Sequence, residues 1–322
     1  MRRLVAFVVR RVQPPLDLSR RLRDMAVVES SSKRYVSAFR LFEKFVRVKF
    51  GVVVTSVGVD RMDQFLECFI EACYRKFRGG RYQLCVNAVQ GVQVVCGFHF
   101  KHVLPTSRRC LRAWQKQVPA QSAQPMPQNW VTVMALLNIL RGEWVIGLGL
   151  VIAFEGYLRV GELTRLRGSD ILLPEDGVDS FQNCGLRIRY AKTGRNQFAR
   201  ISDPAVISVL RYLKLVTGAE DLVMRGTTGA EMNAALKWAT GILGLSVHFT
   251  MHSLRHGRAT MGFLGGDPAE QVRLEGRWAS RKSMEIYLQA VTALLLQLAC
   301  PAALSSLFKL GPLFRGVLLR FV

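Results

Sequence analysis

The sequence predicts a mainly α-helical chain with one small β-hairpin, divided into two domains. Three observations carry this. Apolar residues recur at helical spacing through most of the chain, and one stretch from Cys184 to Ser202 alternates apolar and polar residues around Thr193 and Gly194. Residues 117–129, QVPAQSAQPMPQN, hold three prolines, four glutamines and no charge, the composition of an exposed linker between compact units. At 322 residues and 50% apolar composition the chain is long enough to bury two cores, which excludes a disordered chain.

Residues 1–29 form a basic arm: the first sixteen carry Arg2, Arg3, Arg10 and Arg11 and no acid, a pattern shared with organelle transit peptides. From Ser30, Tyr35, Phe39, Phe42 and Val46 fall on one helical stripe, with Lys33, Arg40, Lys44 and Arg47 largely off it and Gly51 just past the end. Further apolar-periodic segments cover 60–77 and 82–100, with Gly79 and Gly80 between them as a turn, so 30–116 reads as an all-helical domain. Beyond the linker, Trp130–Leu140 and Trp144–Phe154 read as buried helices, followed by a helix holding LRVGELTRL. The hairpin comes next, then helices over Pro204–Leu215 and Ala230–Leu243. A last helix starts at Pro268, with Asp267 as cap, Glu270 completing the box and Gly276 ending it. The second domain spans 130–290, and 291–322 is an apolar tail.

The net charge of +22 and pI of about 10.5 draw polyanions, with nucleic acid first among them. Residues 1–120 hold 23 Lys and Arg against 8 Asp and Glu, so most of the excess is N-terminal. Lys33, Arg34, Arg40, Lys44 and Arg47 are the candidate DNA contacts there. The seven cysteines form no C-x-x-C pair and their number is odd, which implies a reducing compartment. His99 and His102 near Cys96 lack a second ligand pair, so no metal is expected. The stretch Ile286–Phe308 is uncharged for 23 residues, but Gln289, Gln297 and Pro301 interrupt it. It reads as a packed or partner-docking tail, with no membrane partner expected.

Arg159 and Glu162 lie three apart, placing a guanidinium beside a carboxylate that can orient it. His252 and Arg255 are likewise three apart, and Thr250 is placed to cap their helix, whose N-terminus favours an anion. Guanidinium forks match phosphate, and two from different elements would neutralise charge developing on its non-bridging oxygens. A tyrosine phenol ordinarily ionises near pH 10. As a nucleophile, Tyr287, in the helical-looking stretch SMEIYLQAV, therefore needs cations and a proton acceptor close by, which His252, Arg159 and Arg255 would supply. Lys192, on the hairpin, would donate a proton to a departing hydroxyl.

The order and spacing of these residues resemble the tyrosine recombinase, or phage integrase, family. LRVGEL with Leu166 and Asp170 is similar to its first arginine box, making Arg159 the catalytic arginine and Glu162 its acid. Lys192 matches the hairpin lysine, and HSLRH matches the second box, giving His252 and Arg255 with His256 following. GRWASRKSMEIY resembles the last box: nine residues before Tyr287 stands Trp278, where a histidine is usual and some members carry tryptophan as a phosphate donor. The chain departs from the pattern at Tyr157, where a glycine usually precedes Leu-Arg, and at Gly276-Arg277-Trp278, which leaves a one-residue ambiguity between Arg277 and Trp278. The Gly-Arg-Trp wording is similar to DIRS- and Crypton-type recombinases of eukaryotic mobile elements.

The resemblance implies a helical core-binding domain and an α+β catalytic domain that clamp duplex DNA. It further implies a metal-independent transesterification through a 3′-phosphotyrosyl intermediate, with no cofactor. The implied partners are double-stranded DNA and three further copies of the chain, in a homo-tetramer on paired DNA sites. Family members pass a C-terminal helix to a neighbour, a role open to the tail after Val291. An intracellular setting follows, the nucleus in a eukaryote or the cytoplasm in a prokaryote. The alternatives are a type IB topoisomerase-like activity and a non-catalytic DNA-binding relic of a mobile element.

Overall fold

The structure, a computed structural model, describes residues 29–96, 104–119, 123–177, 182–191 and 194–318. Arg2, Arg3, Arg10, Arg11, the His99 and His102 pair, Lys192 and Thr193 lie outside the described residues. Two compact units divide between Gln121 and Ser122.

The first unit comprises helices α1 (Glu29–Phe50), α2 (Val59–Lys76), α3 (Tyr82–Val95) and α4 (Pro105–Gln117). Phe39, Phe42 and Val46 turn inward from α1, and Phe42 meets Phe69 of α2 edge-on at 5.6 Å. Helix α3 lies tight against α1, since a Cβ on Gly91 would fall 2.5 Å from the Tyr35 carbonyl oxygen. Helix α4 starts at Pro105, and buried Asp63 accepts hydrogen bonds from the Thr106 and Ser107 amides at 2.7 and 2.9 Å. That carboxylate satisfies donors that a helix N-terminus leaves free. Lys33, Arg34, Arg40, Lys44 and Arg47 are all exposed on α1.

The second unit contains α5 (Gln128–Leu140), α6 (Trp144–Glu155), the one-turn α7 (Val160–Leu163), β1 (Ile171–Leu172), β2 (Cys184–Ala191) and β3 (Gly194–Ile201). It continues with α8 (Pro204–Val216), α9 (Gly229–Ile242), α10 (Met251–Leu264), α11 (Ala269–Glu275) and α12 (Arg281–Glu285). The last described elements are α13 (Ala290–Leu298), α14 (Ala302–Lys309) and α15 (Gly311–Leu318). Helix α6 is buried from Ile146 to Glu155, which explains an apolar sequence without a polar stripe. The sheet is antiparallel in the order β1-β2-β3, and Ala191 pairs with Gly194 at the hairpin end. The chain is thus mainly helical with a small sheet.

Several expectations need correction. The helix expected over LRVGELTRL is a single turn, because Tyr157 takes a left-handed φ of 50° and Arg159 is extended. Tyr287 is not within a helix: α12 ends at Glu285, and Tyr287 stands in the break before α13. Asp267 does not cap α11. Pro268 takes the cap position without a side-chain bond, and Glu270 pairs instead with Arg273. The 117–129 stretch is not exposed throughout, for Pro125, Met126 and Pro127 are buried and α5 already begins at Gln128. Lacking charge, and with two prolines that have no N–H to satisfy, that part can enter an interior. Met126 donates its amide to the Ser253 carbonyl at 3.1 Å.

The tail packs on its own unit. Phe308 stacks on Trp130 at 4.4 Å, and Arg315 pairs with Glu155 and with Asp203. Val291, Leu294, Leu295 and Leu298 stay exposed. Among the described residues no single helix is long and apolar enough to cross a membrane.

Candidate active site

Three stretches far apart in sequence, 157–162, 250–260 and 276–289, come together around the N-terminal half of α10. Thr250 stands at its N-cap, where its amide donates to Ser253 Oγ at 3.1 Å. His252, Arg255 and His256 follow at helical spacing and share one face. The break after α12 brings Tyr287 against that face: its ring centroid lies 4.4 Å from that of His256 and 5.3 Å from that of His252. Thr260, one turn along α10, fixes the break by donating to the Tyr287 carbonyl at 3.0 Å and accepting from the Gln289 amide at 3.1 Å. Trp278, from the turn after α11, closes the other side of the phenol at 4.8 Å.

Arg255 is wholly enclosed. Its two terminal nitrogens donate to the carbonyls of Tyr157 and Gly276, and its Cζ lies 4.6 Å from the Trp278 ring centroid and 5.6 Å from that of Tyr287. Burial, then the neighbouring Arg159 and Arg277, push its pKa down to about 10, leaving it charged at neutral pH. Arg159 differs in being 23% exposed, the most accessible guanidinium of the cluster. Its Nη1 donates to Glu162 Oε1 at 2.7 Å and its amide to Glu162 Oε2 at 3.1 Å, so the pair meets across the mouth of a one-turn helix. Burial by itself would raise the Glu162 carboxyl. The guanidinium of Arg277 and the hydrogen bonds from Arg159 outweigh it and hold Glu162 below the ordinary carboxylate range.

His256 is buried, and its Nδ1 lies 2.9 Å from Gln289 Nε2, an arrangement that suits a neutral imidazole accepting from the amide. Trp278 Nε1 is buried and has no hydrogen-bond partner among the described residues. The structure thus gathers Arg159, Glu162, His252, Arg255, His256, Trp278 and Tyr287. Lys192 is outside the described residues, between Ala191 and Gly194, and the α1 cations belong to the first unit. Sequence reasoning left Arg277 undecided, yet its guanidinium reaches Glu162 at 2.7 Å with only 6% of the side chain exposed. Gln289 was also missed as a partner of His256. No group of three or more potential metal ligands occurs among the described residues.

No protein-family model and no curated protein matches the chain. Solved structures do. The Tn1549 transposon integrase in complex with transposon right end DNA is 13% identical, with a TM-score of 0.53, over 86% of this chain and 96% of that one. The same integrase in complex with circular intermediate DNA gives 12% identity and a TM-score of 0.52 over 80% and 98%. The XerH site-specific recombinase in its post-cleavage complex with palindromic difH substrate gives 13% identity and a TM-score of 0.51 over 81% and 75%. A helical first unit, a helical second unit with a three-stranded antiparallel sheet, and this match over most of the chain give it the fold of the tyrosine recombinases.

Proposed function

We propose that the protein is a site-specific DNA recombinase or integrase that cuts and rejoins strands through Tyr287. One observation carries this above the rest: a phenol packed between two histidines and a tryptophan, beside a buried guanidinium, in a fold shared with DNA recombinases. In the proposed step Tyr287 Oη attacks the scissile phosphorus and gives its proton to His252. The bond from phosphorus to the 5′ oxygen breaks, leaving a 3′-phosphotyrosyl link, and Lys192 protonates the departing 5′-hydroxyl. A 5′-hydroxyl of another strand reverses the step. Arg159, the accessible guanidinium, neutralises charge on the non-bridging oxygens. Arg255 acts as a fixed positive charge behind the phenol while its terminal nitrogens stay on backbone carbonyls. Trp278 brings one unspent N–H donor beside the phenol.

The partner in this reading is double-stranded DNA. The excess of 45 Lys and Arg over 23 Asp and Glu supports it, as does the DNA held by the structural neighbours. The working assembly is a homo-tetramer on paired sites, in the nucleus or the bacterial cytoplasm. Incubation with a nicked suicide substrate, which lets the short downstream fragment bearing the freed 5′-hydroxyl diffuse away, tests the nucleophile. Wild-type protein is expected to form a covalent adduct, and Tyr287→Phe to bind DNA without forming one. Adducts persisting in that variant would sink the assignment.

A further inference from the structure

Two residues other than glycine hold left-handed backbone at the edge of this site, Tyr157 at φ 50° and Arg277 at φ 57°. Side chains enter that region at a cost, and such conformations persist where the surroundings enforce them. At Arg277 the surroundings are the site itself. Its Nη1 donates to the Gly156 carbonyl at 3.0 Å, and its Nη2 to the Tyr157 carbonyl at 3.4 Å and to Glu162 Oε2 at 2.7 Å. Glu162, whose side chain is 3% exposed, offers its other oxygen to Arg159 at 2.7 Å. One carboxylate therefore bridges an inner guanidinium that faces only protein and an outer one that reaches solvent.

We infer that Arg277 is a positioning residue for strand cleavage, locking the Glu162 carboxylate so that it presents the Arg159 guanidinium to the scissile phosphate. This rests on the reading of Tyr287 and Arg159 given above. Without Arg277, Glu162 Oε2 keeps only the Arg159 amide as a donor, and burial then favours the protonated acid. A neutral acid holds a guanidinium more weakly and less directionally than a carboxylate does. Other charges face Glu162 as well: Arg255 from α10, and Arg165, Arg167, Arg187, Arg189 and Asp170 around a shared cavity. All of them persist when Arg277 alone is replaced.

Arg277→Gly removes the guanidinium and supplies the residue the left-handed turn favours, which offsets part of the loss of a buried ion pair, and its thermal melt is measured beside its rate. Single-turnover cleavage of the nicked substrate should slow on the order of 100-fold, with DNA affinity unchanged. The acid limb of its pH–rate profile should move toward neutral pH. In a Glu162→Gln background the same replacement should produce no further movement. Arg277→Lys keeps the charge but not the fork, so it should lose rate while its acid limb stays near that of wild type. The inference is overturned by a Gly variant that cleaves at the wild-type rate, by a limb that stays in place, or by one that moves equally in the Lys variant. Should the Gly variant melt early, the rate and limb of the Lys variant decide. If Tyr287→Phe still forms adducts, the nucleophile reading has failed instead; if it is inactive while Arg277→Gly behaves as wild type, only the positioning role has failed.

Discussion

His256 sits among Tyr287, His252, Arg255 and Gln289, and burial first, then the neighbouring His252 and Arg255, push its pKa down to about 4 from an ordinary 6.5. Between those values the unfolded chain binds the proton that the folded one refuses. Stability is therefore complete above pH 6.5 and falls as the pH drops toward 4, by about 2 kcal/mol at pH 5. Urea unfolding at pH 7 and pH 5 should show this loss in wild type and a smaller one in His256→Asn; equal losses would contradict it. Arg159→Ala should slow cleavage on the order of 100-fold or more, and an unchanged single-turnover rate would remove it from the site. Most of the residues gathered at the candidate site were legible because pairs of such side chains at helical spacing stand out in the sequence: His252 with Arg255, and Arg159 with Glu162. Arg277 was not legible in the same way. Where its side chain goes depends on a left-handed turn, and residue types other than glycine give no warning of one.

At the level of elements, helix α10 owes its place to a missing side chain. A Cβ on Gly257 would lie 1.9 Å from the Met126 carbonyl oxygen, a contact no rotamer can relieve because the partner is backbone. Gly257→Ala should therefore destabilise the second unit by about 3 kcal/mol or more, read as a lowered urea midpoint. A midpoint unchanged from wild type would mean that the 125–127 segment moves aside freely. Helix α1 was legible from its periodicity, α5 and α6 from the length of their apolar runs, and the β2-β3 hairpin from its alternation. Strand β1, two residues long, is too short to leave a pattern. The break at Tyr287 was missed for another reason: apolar spacing continues through it, and tertiary bonds from Thr260 decide where the helix stops.

For the whole molecule, charge sets the expected binding behaviour. If the proposed complex neutralises six or more phosphates, log K should fall with log salt at a slope of about −5 or steeper. A flat profile in a filter-binding or anisotropy titration would contradict it. The uncharged, proline-rich stretch 117–129 reads as a linker, but the depth to which its second half is buried was not legible, since prolines serve a linker and an interior turn equally well. The tail bears on how assembly is tested. Phe308 and Leu296 belong to the core of the second unit, so cutting the chain at Ala290 would remove core as well as any surface offered to a neighbour. Point changes separate the two. Phe308→Ala should cost about 3–5 kcal/mol in unfolding measurements, whereas Leu298→Ser on the exposed side should leave the melt alone and report only on association. An early melt in Leu298→Ser would show that this face is already covered.

The carbonyls of Tyr157 and Gly276 that enclose Arg255 also bear on motion. Opening the 276–288 segment would strip a buried cation of one of its two backbone acceptors and of the Trp278 ring above it. Leaving a buried charge short of its partners typically costs about 3–5 kcal/mol, so the open form is populated once in about 150 to about 5,000 molecules. The Tyr287 amide, bonded to the Met284 carbonyl at 2.7 Å, should then exchange its hydrogen hundreds of times more slowly than a free loop amide, despite lying in a break between helices.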